Sequence, residues 1–375
     1  MTVKEYYRDA YLAELDSKVI SCREVKGGFE VLLDKTVFFP ESGGQPSDSG
    51  MLGDAVVTDV RIVGEDVVHI TDRPLPLGPV HGVIDFEKRY GRMQNHTGEH
   101  IMSGIAHRLH GCENVGFHLT DTAMTLDFDK YLTPEQLSEL EMLANRVVRR
   151  CVDVETFFPS EDELGDIVYR SKSELEGAIR IVRIEGVDVC ACCAPHVANT
   201  GEVGTIKILS SERWKGGVRL YAACGELATR EIGARCDALS TAAAGLSVKP
   251  TEIGVGIDRL RAELSEAKLS ASKLKKGYID LLARSKEQTE GNILIFDELL
   301  DMPSACELAS LLAKKCRIAA VVSGRTYAVA SEKEDMRAFS KQLNAELEGR
   351  GGGRAGLASG SLNATKEKIE RFFEK

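Results

Sequence analysis

Two pairs of potential metal ligands, each with a four-residue spacing, constrain this chain more than any other feature. The first pair, His96 and His100, lies in residues 85–111, where apolar residues recur every fourth position. This periodicity predicts a helix that Asp85 caps at its start and Gly111 closes at its end. The spacing places both imidazoles on one helix face, one turn apart, where they can bind the same metal ion.

The second pair lies about a hundred residues later, in the stretch C-A-C-C-A-P-H, where Cys192 and His196 repeat the four-residue spacing. From spacing alone, two helix histidines without a metal are as good an interpretation of the first pair. The second cluster favours a metal site, because closely spaced thiols in such a chain usually ligate something. Three imidazole nitrogens and one thiolate make a tetrahedral zinc set, with Cys190 and Cys193 as competing ligands.

Composition limits the classes of protein that the chain can belong to. With 375 residues, of which 43% are hydrophobic, it can form two or three domains of about 150 residues each. It contains no apolar run of about 18 residues and no apolar signal core, so we expect a cytoplasmic protein. Its ten cysteines suggest free thiols and a metal site rather than a disulfide framework.

The net charge of −10 argues against nonspecific nucleic-acid binding, which usually requires a basic surface. Local basic patches at 213–219, 273–276 and 349–354 still leave room for RNA recognition, although each is equally well explained as a solvated surface.

The pattern of residues predicts an α+β protein with four segments. Residues 1–86 alternate as short strands and predict a small β-barrel with a Gly-rich loop at 36–50. In that loop Pro40, Gly43, Gly44 and Pro46 interrupt any strand, so we expect Gln45 to be displayed on a loop. An ordinary turn explains Gly-Gly-Gln equally well. The functional interpretation is a loop whose glycine backbone closely approaches a ligand.

Residues 87–240 predict a central α+β domain that contains both ligand pairs, one on a helix and one at a strand end. A second helix begins at 133–136, where Thr133 can cap it and Pro134 occupies the first turn. Its apolar face is expected to contain Leu137, Leu140, Ala144 and Val147.

Residues 241–290 carry a heptad pattern that predicts a helical or coiled-coil arm, either a dimer seam or a partner for helix 226–244. The apolar positions of this pattern are Ile257, Leu260, Leu264, Ala267, Ala271, Leu274, Tyr278 and Leu281. Residues 291–375 alternate strands with helices and predict a small α/β domain, which we expect to bind RNA or to form the contact of a homodimer in place of the arm. A flexible loop, 349–354, would let Arg350 and Arg354 contact phosphate or RNA. A glycine linker is the alternative explanation.

Three motifs in three places together resemble a known family. The stretches F-F-P-E-S-G-G-Q-P-S-D-S-G, V-H-G-V-I-D-F-E-K-R-Y-G-R-M-Q-N-H-T-G-E-H and C-C-A-P-H-V-A-N-T-G-E-V-G are similar to the editing domain of alanyl-tRNA synthetases and of stand-alone alanyl-tRNA editing proteins, the AlaX group. The C-terminal segment with G-R-G-G-G-R resembles the RNA-binding domain of alanyl-tRNA synthetases and DHH phosphodiesterases, as in the long form of AlaX. Because a barrel starts at residue 1, we expect no synthetase catalytic core ahead of it.

The resemblance implies one zinc ion per chain, held by His96, His100, Cys192 and His196. The family's usual Cys-Gly-Gly-Thr-His reads Cys-Cys-Ala-Pro-His at 192–196, which keeps the ligands but changes the loop between them. It also implies a trans-editing hydrolase that deacylates mischarged tRNA(Ala), chiefly Ser-tRNA(Ala) and also Gly-tRNA(Ala). An aminoacylation pocket that admits alanine cannot strongly reject glycine by size, and it rejects an added hydroxyl only weakly.

The same reasoning gives a set of candidate site residues. As catalytic groups we predict Gln45, Thr97 and Glu99. As substrate-binding groups we predict Gly43, Gly44, His118, Thr120, Arg350 and Arg354. Zinc would either lower the pKa of a bound water or hold a polar group of the substrate.

Three other interpretations stay open. His96-Thr97-Gly98-Glu99-His100 fits the inverted metallopeptidase pattern, with Glu99 as general base and a distal ligand at Glu174 or Glu176. A tRNA-binding protein with a structural zinc and a dimerising arm is a second alternative, because closed zinc sites are usually structural. A Gly-Gly-Gln hydrolase of the release-factor type is a third, and it accounts for less of the sequence.

Overall fold

A computed structural model of the chain describes residues 1–171 and 178–374. It divides into two compact units, Met1–Thr241 and Ala242–Lys375. Within the described residues, several β-sheets combine with eight α-helices, which confirms the predicted mixed α+β class. The finer division into four segments stays a prediction. Over the same described residues, no helix has the length and apolar character needed to cross a membrane.

The first unit begins with a closed six-stranded barrel of order β2-β3-β7-β6-β5-β8. Two short strands that are not part of the barrel, β1 and β4, pair with each other in parallel. A 3-10 turn spans Glu5–Tyr7. The strands are β1 (Val3–Lys4), β2 (Glu14–Val25), β3 (Gly28–Leu33), β4 (Lys35–Thr36), β5 (Gly50–Leu52), β6 (Ala55–Val63), β7 (Asp66–Thr71) and β8 (Gly78–Ile84).

Alternation along these strands fills the barrel interior. In β7, for example, Val67, His69 and Thr71 are buried while the intervening residues are partly exposed. His69 is satisfied inside by Thr36 Oγ1 at 2.8 Å and by the carbonyl oxygen of Val31 at 3.2 Å. Burial lowers the pKa of His69 to about 4, so the imidazole is neutral in the folded barrel at neutral pH.

Helix α1 (Phe86–His110) follows the barrel and confirms the helix predicted from the sequence. The Asp85 side chain accepts a hydrogen bond from the backbone N–H of Lys88, and Gly111 ends the helix in the left-handed conformation with φ 58°. Two glycines let the helix approach its neighbours closely. A Cβ at Gly98 would lie 2.2 Å from Cys224 Sγ, and one at Gly104 would lie 2.4 Å from the Val187 carbonyl oxygen. The apolar face of α1 therefore lies deep in the core of this unit.

Two sheets pack around α1 in the first unit. One is four-stranded with order β14-β15-β10-β9, and the other is three-stranded with order β11-β12-β13. Their strands are β9 (Asn114–Leu119), β10 (Met124–Phe128), β11 (Val154–Phe157), β12 (Ile181–Ile184), β13 (Asp188–Ala191), β14 (Ile206–Trp214) and β15 (Gly217–Cys224), with a 3-10 turn at Thr200–Val203.

Three more helices begin in the first unit: α2 (Pro134–Arg150), α3 (Glu161–Asp166) and α4 (Gly225–Leu246). Helix α2 begins with the predicted capping box, in which Thr133 and Gln136 bond each other's backbone N–H groups. Its predicted apolar face is buried, which confirms that part of the sequence analysis.

The second unit contains a five-stranded sheet of order β16-β17-β18-β20-β19, in which only β16 and β17 are parallel among the described strands. Its elements are a 3-10 turn at Pro250–Glu252, α5 (Ile253–Ser285), β16 (Asn292–Phe296), α6 (Met302–Leu312), β17 (Ile318–Ser323), β18 (Thr326–Ala330), α7 (Met336–Glu346), β19 (Arg350–Arg354), β20 (Leu357–Ser361) and α8 (Lys366–Phe373). Alternate residues of β17 and β18 face α6 on one side and α7 with α8 on the other.

Two features of this unit bear on the sequence analysis. The predicted flexible loop at 349–354 is wrong, because these residues form the edge strand β19, paired with β20. Gly351 and Gly353 permit the pairing, since a Cβ at either would lie within 2.4 Å of a β20 carbonyl oxygen. Helix α5 spans the heptad pattern, and several of its apolar positions are exposed, including Leu260, Leu264 and Leu274.

Candidate metal centre and its cavity

The four side chains that the two spacings single out come together in the first unit. Ligand atoms of His96, His100, Cys192 and His196 all lie within 4.8 Å of one another. Cys192 Sγ is 3.5 Å from Nε2 of His96 and 3.5 Å from Nε2 of His196. Cys193 is outside this group, whereas Cys190 forms a second group with His100 and Asp188. The geometry therefore favours Cys192 over the two competing cysteines.

In each histidine of this cluster, Nε2 faces the cluster and Nδ1 contacts a side-chain oxygen outside it. Nδ1 of His96 is 3.0 Å from Gln45 Oε1, Nδ1 of His196 is 3.0 Å from Thr97 Oγ1, and Nδ1 of His100 is 3.0 Å from Asp188 Oδ2. All three partner atoms are oxygens that can accept a proton from an Nδ1–H group. With its proton on Nδ1, each imidazole would donate to this oxygen and present the lone pair of Nε2 to the centre of the cluster.

The groups of the cluster differ in charge. Burial alone would lower the pKa of His100, but Glu99 and hydrogen bonds to Asp188 and Cys192 raise it to about 10, so this imidazole is protonated at neutral pH when no metal is bound. Burial lowers the pKa of His196 to about 3, which keeps that imidazole neutral. Burial alone would raise the pKa of the Cys192 thiol, but the surrounding imidazoles hold it well below its ordinary value. Burial would also raise the pKa of Asp188, yet hydrogen bonds from His100 and Arg170 bring it below its usual range, so this carboxylate is charged.

One orphaned atom tests whether the residues fit a metal. Nε2 of His100 is buried and makes no hydrogen bond within the described part of the chain, although Oε2 of Glu99 lies 3.8 Å away. A buried ring nitrogen without a partner is costly unless a ligand satisfies it. Three imidazoles and one thiolate are the donors that zinc prefers in tetrahedral sites. The donor set and the orphaned nitrogen therefore both fit a zinc ion.

The turn that carries Gln45 is fixed by glycine geometry. Ser42 and Gln45 exchange backbone hydrogen bonds of 3.1 and 3.0 Å, and both Gly43 and Gly44 have positive φ. A Cβ at Gly44 would lie 2.4 Å from the Phe117 carbonyl oxygen, so only glycine fits there. Gln45 lies on a loop, as predicted, but it is not displayed there. Its side chain is fully buried, because it turns inward to His96.

Two arginines of α1 hold this turn against the helix. Arg89 is fully buried and donates to the carboxylate of Asp48 at 3.0 Å and to the carbonyl oxygen of Val37 at 2.7 Å. Arg92 donates to the carbonyl oxygen of Ser47 at 2.7 Å. The segment that supplies Gln45 is therefore anchored on the same helix that supplies His96.

A cavity of about 270 Å³ opens beside the cluster. His96, His100 and Cys192 form part of its wall, together with Cys190 and Cys193. The remaining lining residues are Tyr7, Ser42, Gly43, Phe158, Ser171, Ala178, Ile179, Arg180 and Ala191. The metal cluster is therefore accessible to a small ligand.

Arg180 fixes the Cys-Cys-Ala-Pro loop on this wall. Its guanidinium donates to the carbonyl oxygens of Cys192 and Ala194, at 3.1 and 2.8 Å, and lies 5.5 Å from the centre of the Tyr7 ring. Burial lowers the pKa of Arg180 and raises that of Tyr7 to about 12, so at neutral pH the phenol beside this cation is uncharged.

The three residues predicted as catalytic are not among those lining the cavity. Gln45 and Thr97 hold His96 and His196 from behind. Glu99 is fully buried, where its carboxylate accepts from Ser103 Oγ at 2.6 Å and Asn114 Nδ2 at 2.5 Å. Its second oxygen, Oε2, lies 3.8 Å from Nε2 of His100, so Glu99 contacts a metal ligand rather than the cavity. The distal ligands of the peptidase alternative, Glu174 and Glu176, lie outside the described residues.

The predicted substrate-binding residues are dispersed. Gly43 lies on the cavity wall, and Gly44 packs against the backbone of Phe117. His118 is an exposed residue of β9, and Thr120 lines a different depression next to Arg92 and Asp121. The prediction missed Phe117, whose ring centre is 4.6 Å from that of His96. Arg350 and Arg354 are exposed on β19 in the second unit.

Sequence reasoning missed the residues that position the cluster. Asp188 and Arg170 lie behind His100, where Arg170 donates to both carboxylate oxygens at 2.8 and 2.9 Å. Asp48, Arg89 and Arg180 act as buried anchors of the loops. In the sequence, a charged residue within a strand or on an apolar helix face indicates a buried ion pair. It does not show which residue is the other member of the pair.

The chain is similar to alanine–tRNA ligases and to alanyl-tRNA editing proteins. Residues 179–221 match the family described as threonyl and alanyl tRNA synthetase second additional domain. An alanine–tRNA ligase of Pyrococcus furiosus is 34% identical over 98% of this chain. The chain spans only 43% of the length of that ligase.

Stand-alone relatives match over more of their own length. The alanyl-tRNA editing protein AlaX-L of Pyrococcus horikoshii is 28% identical, and the alignment covers 98% of this chain and 96% of that protein. The alanyl-tRNA editing protein Aarsd1-A of Xenopus laevis is 34% identical, over 68% of this chain and 66% of that protein. The solved C-Ala domain of Aquifex aeolicus alanyl-tRNA synthetase matches 24% of this chain at 24% identity, with a TM-score of 0.21. The chain is therefore homologous to the alanyl-tRNA editing protein AlaX-L and to the corresponding part of the alanine–tRNA ligases, the family that its motifs predicted.

Proposed function

We propose that this protein is a zinc-dependent trans-editing hydrolase that deacylates mischarged tRNA(Ala), chiefly Ser-tRNA(Ala), with Gly-tRNA(Ala) as a second substrate. One observation carries the proposal: His96, His100, Cys192 and His196 form one cluster, and the first three of them line an open cavity. The homology to alanyl-tRNA editing proteins gives this cluster its substrate class.

The residues around the cavity suit the aminoacyl end of a tRNA. Its volume of about 270 Å³ is at the lower limit of small-molecule sites, which begin near 300 Å³. A small aminoacyl ester fits such a space, and the rest of the RNA would remain outside. The ester is already activated for hydrolysis, so the protein needs mainly to position it and to stabilise the developing negative charge.

The four ligands would hold the zinc, and a bound zinc would act as a Lewis acid on water or on a polar group of the substrate. Gln45, Thr97 and Asp188 keep the ligating imidazoles in the required tautomer. This gives Gln45 and Thr97 a positioning role in the reaction. Arg180 keeps the ligand loop in place and adds a buried positive charge to the cavity wall.

Binding of tRNA would use other parts of the molecule as well. We include in the proposal that Arg350 and Arg354 of β19 contact phosphate groups of tRNA(Ala), because both side chains are exposed. The exposed leucines of α5 suit a homodimer through this helix. We propose the cytoplasm, the site of aminoacyl-tRNA use, as the compartment.

The decisive experiment compares deacylation of Ser-tRNA(Ala) and Ala-tRNA(Ala) by the purified full-length protein at neutral pH and moderate salt. We expect serine to be released selectively. The His96→Ala variant should lose both the zinc, measured by elemental analysis, and the deacylation, because three ligands from this set hold the ion less tightly.

Three outcomes would contradict the proposal in different ways. Full activity of His96→Ala without bound metal would exclude a zinc-dependent reaction. Hydrolysis of neither RNA by a zinc-loaded protein that binds tRNA would instead favour the tRNA-binding protein with a structural zinc. Cleavage of a peptide by the wild type but not by Glu99→Gln would favour the peptidase.

A further inference from the structure

A polar pair on the cavity wall has no role in holding the metal cluster. Ser42 Oγ and Cys193 Sγ lie 3.0 Å apart, and both residues line the cavity. Both residues are half-buried. The pair joins the two segments that also supply Gln45 and Cys192.

Both members of the pair are held rigidly. Ser42 closes the tight turn with Gln45, whose side chain is anchored on His96. Arg180 bonds the carbonyl oxygens on either side of Cys193, those of Cys192 and Ala194. Preorganised groups bind a ligand without an additional ordering cost.

Gly43 lies between the pair and the metal ligand His96. A Cβ built on Gly43 would lie 3.8 Å from Cys193 Sγ and 3.9 Å from His96 Cε1. The space between the pair and the His96 imidazole is therefore about as wide as a single small side chain. A substrate group bound there would contact both the pair and the metal ligands.

We propose that Ser42 and Cys193 form a hydroxyl-binding subsite that selects the seryl side chain of the aminoacyl ester. This inference rests on the proposed function of the cavity. A serine hydroxyl can accept a hydrogen bond from one member of the pair and donate one to the other. A glycyl ester offers no such group, and the methyl group of an alanyl ester would place apolar surface against two polar atoms.

The chemistry of the pair limits the selectivity it can give. In the free protein Ser42 and Cys193 satisfy each other, so the seryl hydroxyl replaces an existing hydrogen bond. Exchange of neutral hydrogen bonds has a small net effect, and we expect a preference on the order of tenfold.

The test measures binding separately from hydrolysis. The probes are two non-hydrolysable adenosines, one with a seryl group and one with a glycyl group in amide linkage at the 3′ position. Calorimetry on the zinc-loaded, full-length protein should give a lower Kd for the seryl probe by about tenfold. Ser42→Ala and Cys193→Ala should each bring the two Kd values to within about twofold of each other.

Two matched variants serve as controls. Cys193→Ser replaces the thiol by a hydroxyl and should keep most of the preference for the seryl probe. Cys306→Ala removes a thiol from α6 in the second unit and should retain the wild-type ratio. Metal content of each variant, measured by elemental analysis, identifies any loss that comes from a disturbed metal site.

Deacylation rates of Ser-, Gly- and Ala-tRNA(Ala) complete the design. The ratio of the seryl to the glycyl rate should fall about tenfold in Ser42→Ala and Cys193→Ala. Equal Kd values of the two probes for the wild type, or a ratio that neither variant changes, would overturn the subsite. A wild type that distinguishes the probes but deacylates none of the three RNAs would overturn the proposed function and leave the subsite standing.

Discussion

At the scale of single residues, the three groups behind the histidines differ in chemical character. His96 meets an amide oxygen, His196 a hydroxyl and His100 a carboxylate. Only the last partner is charged, and Arg170 fixes it through two further hydrogen bonds. A charged acceptor at Nδ1 makes Nε2 more basic, so Nε2 binds a metal cation more strongly. The affinity for the metal should therefore depend more on Asp188 than on Gln45 or Thr97.

We expect the Asp188→Asn variant to bind zinc about 10–100-fold more weakly than the wild type, since it keeps the shape of the side chain but removes its charge. Competition with a coloured chelator measures this affinity without reference to catalysis. Asp127→Asn is the matched control, because it also breaks a carboxylate pair with an arginine, here Arg219, on a strand away from the cluster. Equal zinc affinity of Asp188→Asn and the wild type would show that hydrogen bonding alone is sufficient.

At the scale of elements, the site depends on how a barrel loop attaches to helix α1. The buried pair of Arg89 and Asp48 is the centre of this attachment. Arg89 also bonds two backbone carbonyl oxygens, and Asp48 accepts from the backbone N–H of Phe39 at 2.7 Å. Because each ion satisfies several groups, removal of one partner leaves an uncompensated charge in the interior.

Arg89→Met should lower the free energy of unfolding by about 3–5 kcal/mol, the range typical of a buried ion pair that loses one member. The double variant Arg89→Met with Asp48→Asn should be less unstable than the sum of the two single changes, because it leaves no unpaired ion. Urea unfolding of the zinc-loaded proteins measures both. Arg73→Met disrupts a solvent-exposed pair with Asp72 and should leave the unfolding midpoint unchanged. Strictly additive effects would contradict coupling between Arg89 and Asp48.

The same element scale shows what the sequence could predict. Helix ends and the two ligand spacings depend on residues close together in the chain, and the caps of α1 and α2 confirm the predictions made from them. The burial of Gln45 depends on Arg89 and Arg92, which lie more than forty residues away, so local turn chemistry gave the wrong exposure. Strand β19 was missed for a related reason. Glycine has low strand propensity, and only close pairing with β20 shows why it is needed there.

At the scale of the whole molecule, the metal cluster and the exposed arginines of β19 lie in different units. The metal cluster and its cavity lie within Met1–Thr241, and their core residues belong to clusters inside that unit. Ala242–Lys375 has separate cores on the two faces of its sheet, and its exposed edge strand carries Arg350 and Arg354. Chemistry in one unit and RNA contact in the other would allow the two to be separated experimentally.

A chain that ends at Leu246, the last residue of α4, should keep one zinc per chain and deacylate a short seryl-charged acceptor-stem RNA at close to the full-length rate. It should lose the advantage of full-length tRNA(Ala) over that short RNA, because contacts from the second unit are gone. The rate at subsaturating tRNA, measured as a function of salt concentration, reports these contacts.

The salt slope is the slope of the logarithm of this rate against the logarithm of the salt concentration. If Arg350 and Arg354 each contact one phosphate, changing both to Ala in the full-length protein should reduce the salt slope by about two. Arg337→Ala, which removes an arginine already paired with Asp335, should leave the slope as it is. A truncated chain with the same preference for full-length tRNA and the same salt slope would place RNA recognition in the first unit instead.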